Sequence, residues 1–287
     1  MKTKLKTDLT LIPEKYRTEL VIIADFISQH IRVDMIVLFG KYAGGTMKSI
    51  LEGYELLLVS RKEPVNVYEV SHLLNKSFPM SERNEKNVFL YSYSVNYINT
   101  NNSANYFLLN IRNQGIVLYD NKTFNFFPRK KFKPIRAYHT VTSCFMYYDN
   151  ISRTFLDNAQ KEWNNRNSCT AALNMGYAAE LLFKTAESVF YGQINRNISL
   201  VQRYLKTRHF SERLYRQFSM KHYENRRLFN LLEQYRYESC DNPKFWIGQK
   251  RYLFCLNKLF LLRQTIRLAC LERIDLLNKF KNGNMTI

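Results

Sequence analysis

The sequence predicts an α+β protein of two domains, a small mixed-sheet domain in residues 1–131 and an all-α, up-and-down helical bundle in 132–287. Five of the six prolines lie in the first 134 residues, where short apolar runs alternate with turn residues. Between 135 and 242 there is no proline, and apolar residues recur at the 3.6-residue period of a helix. The basic segment 127–134, FPRKKFKP, therefore marks the boundary.

The N-terminal domain alternates helices and strands. Apolar spacing predicts a helix over 14–31, and short apolar runs bounded by turn residues predict strands at 35–39, 54–59 and 88–93. A further helix over 67–76 separates the second strand from the third. This order predicts helices packed on a small sheet.

The C-terminal half reads as five helices, over 136–163, 168–191, 198–208, 223–239 and 245–280. The last of them carries a stripe at helical spacing, formed by Cys255, Leu259, Leu262, Ile266, Ala269 and Leu277. Such a stripe is typical of bundle packing rather than of a cofactor site.

The net charge of +19 is concentrated in the second half of the chain. Residues 1–128 hold 15 Lys and Arg against 12 Asp and Glu, a net +3, whereas 129–287 hold 28 against 12, a net +16. A surplus of this size favours a polyanionic partner, which would be RNA, DNA or an acidic protein. The alternative is a solvated basic surface without a dedicated ligand.

Cysteine and histidine usage predicts no metal site and no disulfide framework. The five cysteines never form a C-x-x-C pair, and no two of the five histidines share a metal-ligand spacing. The N-terminus lacks the features of a signal peptide, and no uncharged apolar run is long enough to span a bilayer. We therefore expect a cytoplasmic protein without membrane contact.

Residues 37–45, VLFGKYAGG, and 53–59, GYELLLV, resemble the signature of polymerase-β-like nucleotidyltransferases. In that family a strand ends in Leu-Phe-Gly-Ser and the next strand carries Asp-x-Asp. The glycine lets the backbone approach a nucleotide triphosphate, the serine touches a phosphate, and the two carboxylates hold divalent cations. The resemblance therefore implies an ancestral two-metal site.

The residues that would form that site have changed. Gly40 keeps the turn glycine, but Lys41 replaces the serine, and Gly53 and Glu55 stand at the Asp-x-Asp positions. The third family carboxylate is expected within 88–99, which contains no Asp or Glu. We expect no cofactor, with Mg²⁺ required only if some nucleotidyl transfer persists. Lys41 is then either a metal-free anion contact or a solvated lysine.

A second match narrows the family. Residues 95–99 and 106–120 resemble the segment that closes the catalytic domain in bacterial nucleotidyltransferases fused to HEPN domains. Asn110 and Gln114 stand where that segment carries acids, while its end, 115–120, is retained and predicts a turn leading into an edge strand. The resemblance implies a nucleotidyltransferase-like domain followed by a HEPN-like helical bundle.

The C-terminal half has collinear HEPN landmarks. Residues 178–182, AAELL, and 189–192, VFYG, resemble the central HEPN helix, but Gly176 and Tyr177 fill its usual His-Gln positions. Residues 228–237 resemble the late helix that ends in Ala-Arg-Tyr. The whole resemblance spans 35–272.

Arg236 is the candidate for the HEPN arginine. HEPN ribonucleases follow this arginine by a histidine four to six residues later, and none follows here. Arg236 is thus expected either to bind a phosphate group or to form an ion pair with Glu233 or Glu238.

A basic run is the candidate nucleic-acid site. It comprises Arg203, Lys206, Arg208, Arg213, Arg216, Lys221, Arg226 and Arg227. Cations in such a run are expected to contact phosphates without reading bases.

Three classes of function remain open. The first is a non-catalytic, regulatory binder of nucleotides or nucleic acid. The second is residual nucleotidyltransferase or HEPN ribonuclease activity of the toxin–antitoxin type. The third is a protein-interaction module, because the resemblance implies a homodimer formed through the helical bundle, with the long last helix as its candidate surface.

Overall fold

The computed structural model describes residues 5–43, 53–78, 87–101, 105–123, 132–192, 194, 198–242 and 245–281. The chain divides into two compact units, Met1–Lys133 and Pro134–Ile287. This division lies two residues beyond the boundary expected from the sequence. The fold class is α+β, with a small mixed sheet in the first unit and helices in the second.

Four strands form the sheet of the N-terminal unit: β1 (Met35–Phe39), β2 (Gly53–Ser60), β3 (Asn87–Ser94) and β4 (Ile116–Asp120). Their order is β3-β2-β1-β4. β2 and β3 are parallel, whereas β1 pairs antiparallel with both β2 and β4. The three predicted strands and the predicted edge strand are therefore all present.

Helices α1 (Glu14–His30) and α3 (Val67–Ser77) lie where the sequence predicts them. The inward side of α1 joins the sheet residues Ile36, Leu38, Leu56 and Leu58 in one apolar core. Three shorter helices complete the described unit: α2 (Gly40–Ala43), α4 (Val95–Asn101) and α5 (Tyr106–Gln114). The sequence did not predict these three as helices.

Six helices make up the described part of the C-terminal unit: α6 (Pro134–Asn164), α7 (Ser168–Tyr191), α8 (Leu200–Phe210), α9 (Glu212–Gln217), α10 (Tyr223–Asp241) and α11 (Gln249–Lys281). Five match the predicted helices. The predicted start of the last helix at 245 is wrong, since α11 begins four residues later. α9 was not predicted, and Ser211 separates it from α8 by accepting a hydrogen bond from the backbone N–H of Leu214.

α6, α7 and α11 form the centre of the bundle. Trp163 near the end of α6 stacks on Tyr252 near the start of α11, with ring centroids 4.0 Å apart. Farther along, Asp149 of α6 is 3.1 Å from Arg263 of α11, so the two helices run antiparallel. The predicted stripe of α11 is buried throughout. Among the described residues, no helix is both long and apolar enough to cross a membrane.

Candidate functional site

The turn at Gly40, where the sequence resembles a nucleotidyltransferase motif, is closed by its surroundings. Gly40 begins α2 directly after β1 and has φ +75°, a conformation that favours glycine. Phe39 pairs with Glu55 across the strands, and a Cβ on Gly40 would overlap the Glu55 carboxylate. Glu55 is only 1% exposed. The one acidic residue retained from the motif is therefore buried over the turn.

The Lys41 backbone belongs to α2, but its side chain lies outside the described part of the structure. The same holds for all of Gly44 and Gly45. The expectation of an anion contact at Lys41 therefore stays a prediction.

Aromatic rings fill the sheet face next to Glu55. The ring of Phe39 lies 5.3 Å from that of Tyr91 and 5.1 Å from that of Phe107, and Tyr91 and Phe107 are 5.7 Å apart. All three side chains are buried. Within the described residues, no three His, Cys, Asp or Glu side chains come together as metal ligands. This face has the packing of a core, not the open carboxylates that a divalent cation needs.

The HEPN-like arginine is held by carboxylates. Arg236 on α10 lies 2.7 Å from Glu180 on α7 and 3.7 Å from Glu233, one turn earlier on its own helix. Pairing with Glu233 was one of the two sequence expectations. The sequence did not predict the stronger contact, which is with Glu180.

Two cations of the predicted basic run are not on the surface. Arg203 and Lys206 are 1% and 0% exposed, so the prediction that they face a polyanion is wrong. Arg203 lies 2.7 Å from Glu187, and Lys206 lies 3.5 Å from the same carboxyl group. The cause is the periodicity of α8, whose inward side also carries Leu200 and Tyr204.

These contacts join three helices in one ionic network with a buried centre at Glu187, Arg203 and Lys206. Its members are Glu180, Lys184 and Glu187 of α7, Arg203 and Lys206 of α8, and Glu233 and Arg236 of α10. Glu233 also accepts a hydrogen bond of 2.9 Å from the first backbone N–H of α8, at Leu200. The network therefore fixes α8 and α10 against α7.

The network sets the protonation of Glu180. Burial alone would raise its pKa, but the hydrogen bond from Lys184 and the charges of Arg236, Lys184 and Arg203 outweigh burial. The pKa of Glu180 is therefore below its ordinary value, and the carboxylate stays ionised at neutral pH.

Five of the remaining predicted cations are exposed, namely Arg213, Arg216, Lys221, Arg226 and Arg227. Arg216 lies 2.9 Å from Glu212, and Arg213 lies 3.7 Å from Glu272, both in solvent-exposed pairs. Exposed pairs of this kind contribute little, roughly 0–1 kcal/mol, so an incoming phosphate can displace them.

The other cations are positioned by local contacts. Arg226 donates to the carbonyl oxygen of Met220 at 2.8 Å. Arg227 lies over the ring of Phe254, 5.7 Å from its centroid. Arg208 is half-buried and lies 5.0 Å from the ring centroid of Tyr215.

Comparison of the whole chain with protein-family models and with curated proteins found no match.

Sequence reasoning missed part of the basic surface. Lys250 and Arg251, in the first turn of α11, are exposed and were not included in the predicted run. The sequence could not reveal them, because only the fold shows that α11 packs beside α10. Lys258 of α11 lies 3.2 Å from Glu224 of α10. The exposed cations of the helical unit thus come from two segments of the chain, one in α9 and α10 and the other in α11.

Proposed function

We propose that the chain is a non-catalytic, cytoplasmic nucleic-acid-binding protein descended from a nucleotidyltransferase–HEPN fusion. It binds phosphates through its helical unit. The observation that carries this proposal is a row of exposed cations along α11, since Arg213 of α9 pairs with Glu272 while Arg227 of α10 lies over Phe254 near the start of α11. We define this basic surface as Arg213, Arg216, Lys221, Arg226, Arg227, Lys250 and Arg251.

Electrostatics supports a polyanionic ligand. The segment from 129 onward has a net charge of +16, and the few acids near the basic surface, such as Glu212 and Glu224, are exposed and already paired with cations. A surface of this kind raises the local concentration of polyanions and speeds their association. Phosphate contacts then add affinity through the release of condensed counterions.

The absence of catalysis is supported by the surroundings of the two vestigial sites. Glu55 is buried above Gly40 and faces aromatic packing, where a metal-binding family needs paired, accessible carboxylates. Arg236 is engaged by Glu180 and Glu233 and is followed by no histidine within its helix. Neither position offers an acid–base pair for transfer or cleavage.

The experiment is a salt-dependent binding measurement by fluorescence anisotropy with labelled RNA and DNA of mixed sequence. About four phosphate contacts predict a log–log salt slope of about −3 to −4. Reversing Arg213, Arg216, Arg226 and Arg227 to glutamate should weaken binding to all sequences alike and flatten this slope. A variant with glutamine at the same four positions removes the positive charges without adding negative ones. It provides the same test if the glutamate variant does not fold.

A matched control carries the same change in charge elsewhere on the helical unit. Arg136, Arg153, Lys161 and Lys279 are exposed, and reversing them should leave the salt slope unchanged. Equal losses in the two sets would mean that binding follows net charge and has no defined surface. Binding that ignores salt between about 50 and 200 mM would contradict the proposal.

A second candidate function is protein interaction, with a homodimer as its simplest form. One observation favours it: the outer side of α11 exposes five large apolar residues, Leu253, Phe260, Leu261, Leu268 and Leu271. They recur at spacings that place them on one side of the helix, and a contiguous apolar stripe on a surface marks interaction sites. We refer to these five residues as the outer stripe.

A further inference from the structure

The segment between α10 and α11 presents one aromatic side chain to solvent. Among the large hydrophobic side chains of the described residues, that of Trp246 is the most exposed, at 72%. Its neighbours are anchored: Ile247 is buried, and the ring of Phe245 lies 5.9 Å from that of Tyr235. Trp246 is thus held outward by residues that pack inward on both sides.

Cations of the basic surface lie close to this tryptophan. Lys250 and Arg251 lie four and five residues after it, in the first turn of α11, and both are exposed. α10 and α11 run antiparallel, because Glu224 pairs with Lys258 while Arg227 covers Phe254. The antiparallel pairing places Arg227 on the same side of the bundle as the first turns of α11.

The charges of Arg227 and Arg251 both act on the thiol of Cys255. Burial raises the pKa of this thiol to about 11, while a hydrogen bond to Tyr235 and the charges of Arg227 and Arg251 act in the opposite direction. Both guanidinium groups therefore lie within electrostatic range of one side chain. The two helices contribute to a single positive region.

An exposed indole that is followed within five residues by two exposed cations suits unpaired bases. In a duplex the base faces are stacked on one another, so a surface indole has access only to the backbone. In a single strand the bases are free to stack on an aromatic ring, which contributes about 1–3 kcal/mol per base, while neighbouring cations contact the phosphates.

We propose that this surface binds single-stranded nucleic acid, with Trp246 stacking on one base and with Arg227, Lys250 and Arg251 contacting the flanking phosphates. The inference rests on the proposed function and deepens it by naming the class of ligand. It accounts for an exposed tryptophan that neither the core nor the ionic network uses.

Tryptophan fluorescence provides the test. The chain has two tryptophans, and the other, Trp163, stacks on Tyr252. In a Trp163→Phe background, emission reports Trp246 alone. Titration with an oligo(dT) single strand should quench this emission, whereas a duplex of the same length should leave it nearly unchanged. The single strand should also bind more tightly than the duplex at equal salt.

Substitution at Trp246 supplies the second measurement. Trp246→Ala should weaken binding of the single strand about 5- to 150-fold, which corresponds to the loss of about 1–3 kcal/mol of stacking, and should change duplex binding less than about twofold. Trp246→Phe should recover part of the loss. As a control, Tyr147→Ala removes another exposed aromatic, on α6, and should change neither affinity.

The outcomes separate the two proposals. Equal binding of single strand and duplex, with unchanged emission and no effect of Trp246→Ala, overturns the single-strand inference and leaves the proposed function standing. If neither nucleic acid binds, both proposals fail, and a protein partner at Trp246 becomes the explanation of its exposure.

Discussion

The side chain of Arg236 lies directly against Gly176, on the central helix of the bundle. A Cβ at position 176 would stand 2.6 Å from Cγ of Arg236 and 3.0 Å from the carbonyl oxygen of Leu232. The missing side chain lets α10 approach α7 closely enough for Arg236 to reach Glu180, one turn farther along α7. Gly176, which stands where the HEPN pattern has a histidine, is therefore in direct contact with α10.

Gly176→Ala tests this close approach. Glycine to alanine within a helix normally stabilises by up to about 1 kcal/mol, but here we expect destabilisation of about 1–3 kcal/mol, because α10 must move away. Urea unfolding monitored by helical circular dichroism measures the change. As a control, Asn158→Ala at an exposed position of α6 should be neutral or stabilising. An alanine that stabilises at both positions would contradict the packing argument.

Glu187→Gln should be strongly destabilising. The substitution leaves the buried cations Arg203 and Lys206 without their shared counter-charge, and breaking a buried pair in this way costs about 3–5 kcal/mol. The matched control is Glu212→Gln, which breaks the exposed pair with Arg216 and should cost less than about 1 kcal/mol. Similar small losses for both variants in urea unfolding would exclude a structural role for the network.

The contribution of Glu180 should depend on pH in one direction. Because the pKa of Glu180 in the folded chain is below that in the unfolded chain, its stabilisation is fully present above the unfolded value of about 4.5. It is lost as the pH falls through the folded value. The stability difference between the wild type and Glu180→Gln should thus be constant from pH 7 to about 5 and shrink below about 4.

The control for this pH dependence is Asp157→Asn, which removes an exposed partner of Arg153. It should show little difference from the wild type at any pH. A difference for Glu180→Gln that persists unchanged at pH 3 would mean that the variant acts by packing and not by charge.

Nucleotidyl transfer should be undetectable with Mg²⁺ or Mn²⁺. The reason is that Gly53 stands where the motif it resembles carries one carboxylate, and that Glu55, at the position of the other, is buried. Incubation with radiolabelled ATP measures the transfer of AMP to protein or RNA. Labelling that Glu55→Gln abolishes would falsify this prediction. RNA cleavage that Arg236→Ala abolishes would support the ribonuclease alternative instead.

The outer stripe should support self-association. Leu261→Lys and Leu268→Lys, introduced together, should shift the chain toward monomer, because lysine disfavours burial in an apolar interface. Light scattering at tens of micromolar measures the mass. Leu11→Lys, at an exposed leucine of the other unit, should leave it unchanged. A monomeric wild type at this concentration would remove the dimer from consideration.

Periodicity in the sequence was sufficient to locate most of the secondary structure. The strand at Met35–Phe39 and the helix at Ser168–Tyr191 were predicted with the bounds observed. The short helix α9 was missed because six residues between capping positions carry too little periodic signal. α4 and α5 were also missed, since resemblance to a closing segment does not specify local conformation.

The candidate site was less predictable because charge in a sequence does not record which side of a helix it occupies. Arg203 and Glu187 are 16 residues apart, and Arg236 and Glu180 are 56 apart. Only the assembled bundle brings them together. The apolar residues that flank Arg203 on α8 were the one available sign that it faces inward.

The antiparallel packing of α6 on α11 has a consequence for how the bundle assembles. α6 and α7 are joined by three residues, whereas the stacking of Trp163 on Tyr252 closes a loop of almost ninety residues. Loop-closure entropy favours early formation of the α6–α7 hairpin and late docking of α11. During synthesis, the apolar side of α7 that packs against α11 therefore stays uncovered until α11 has emerged from the ribosome.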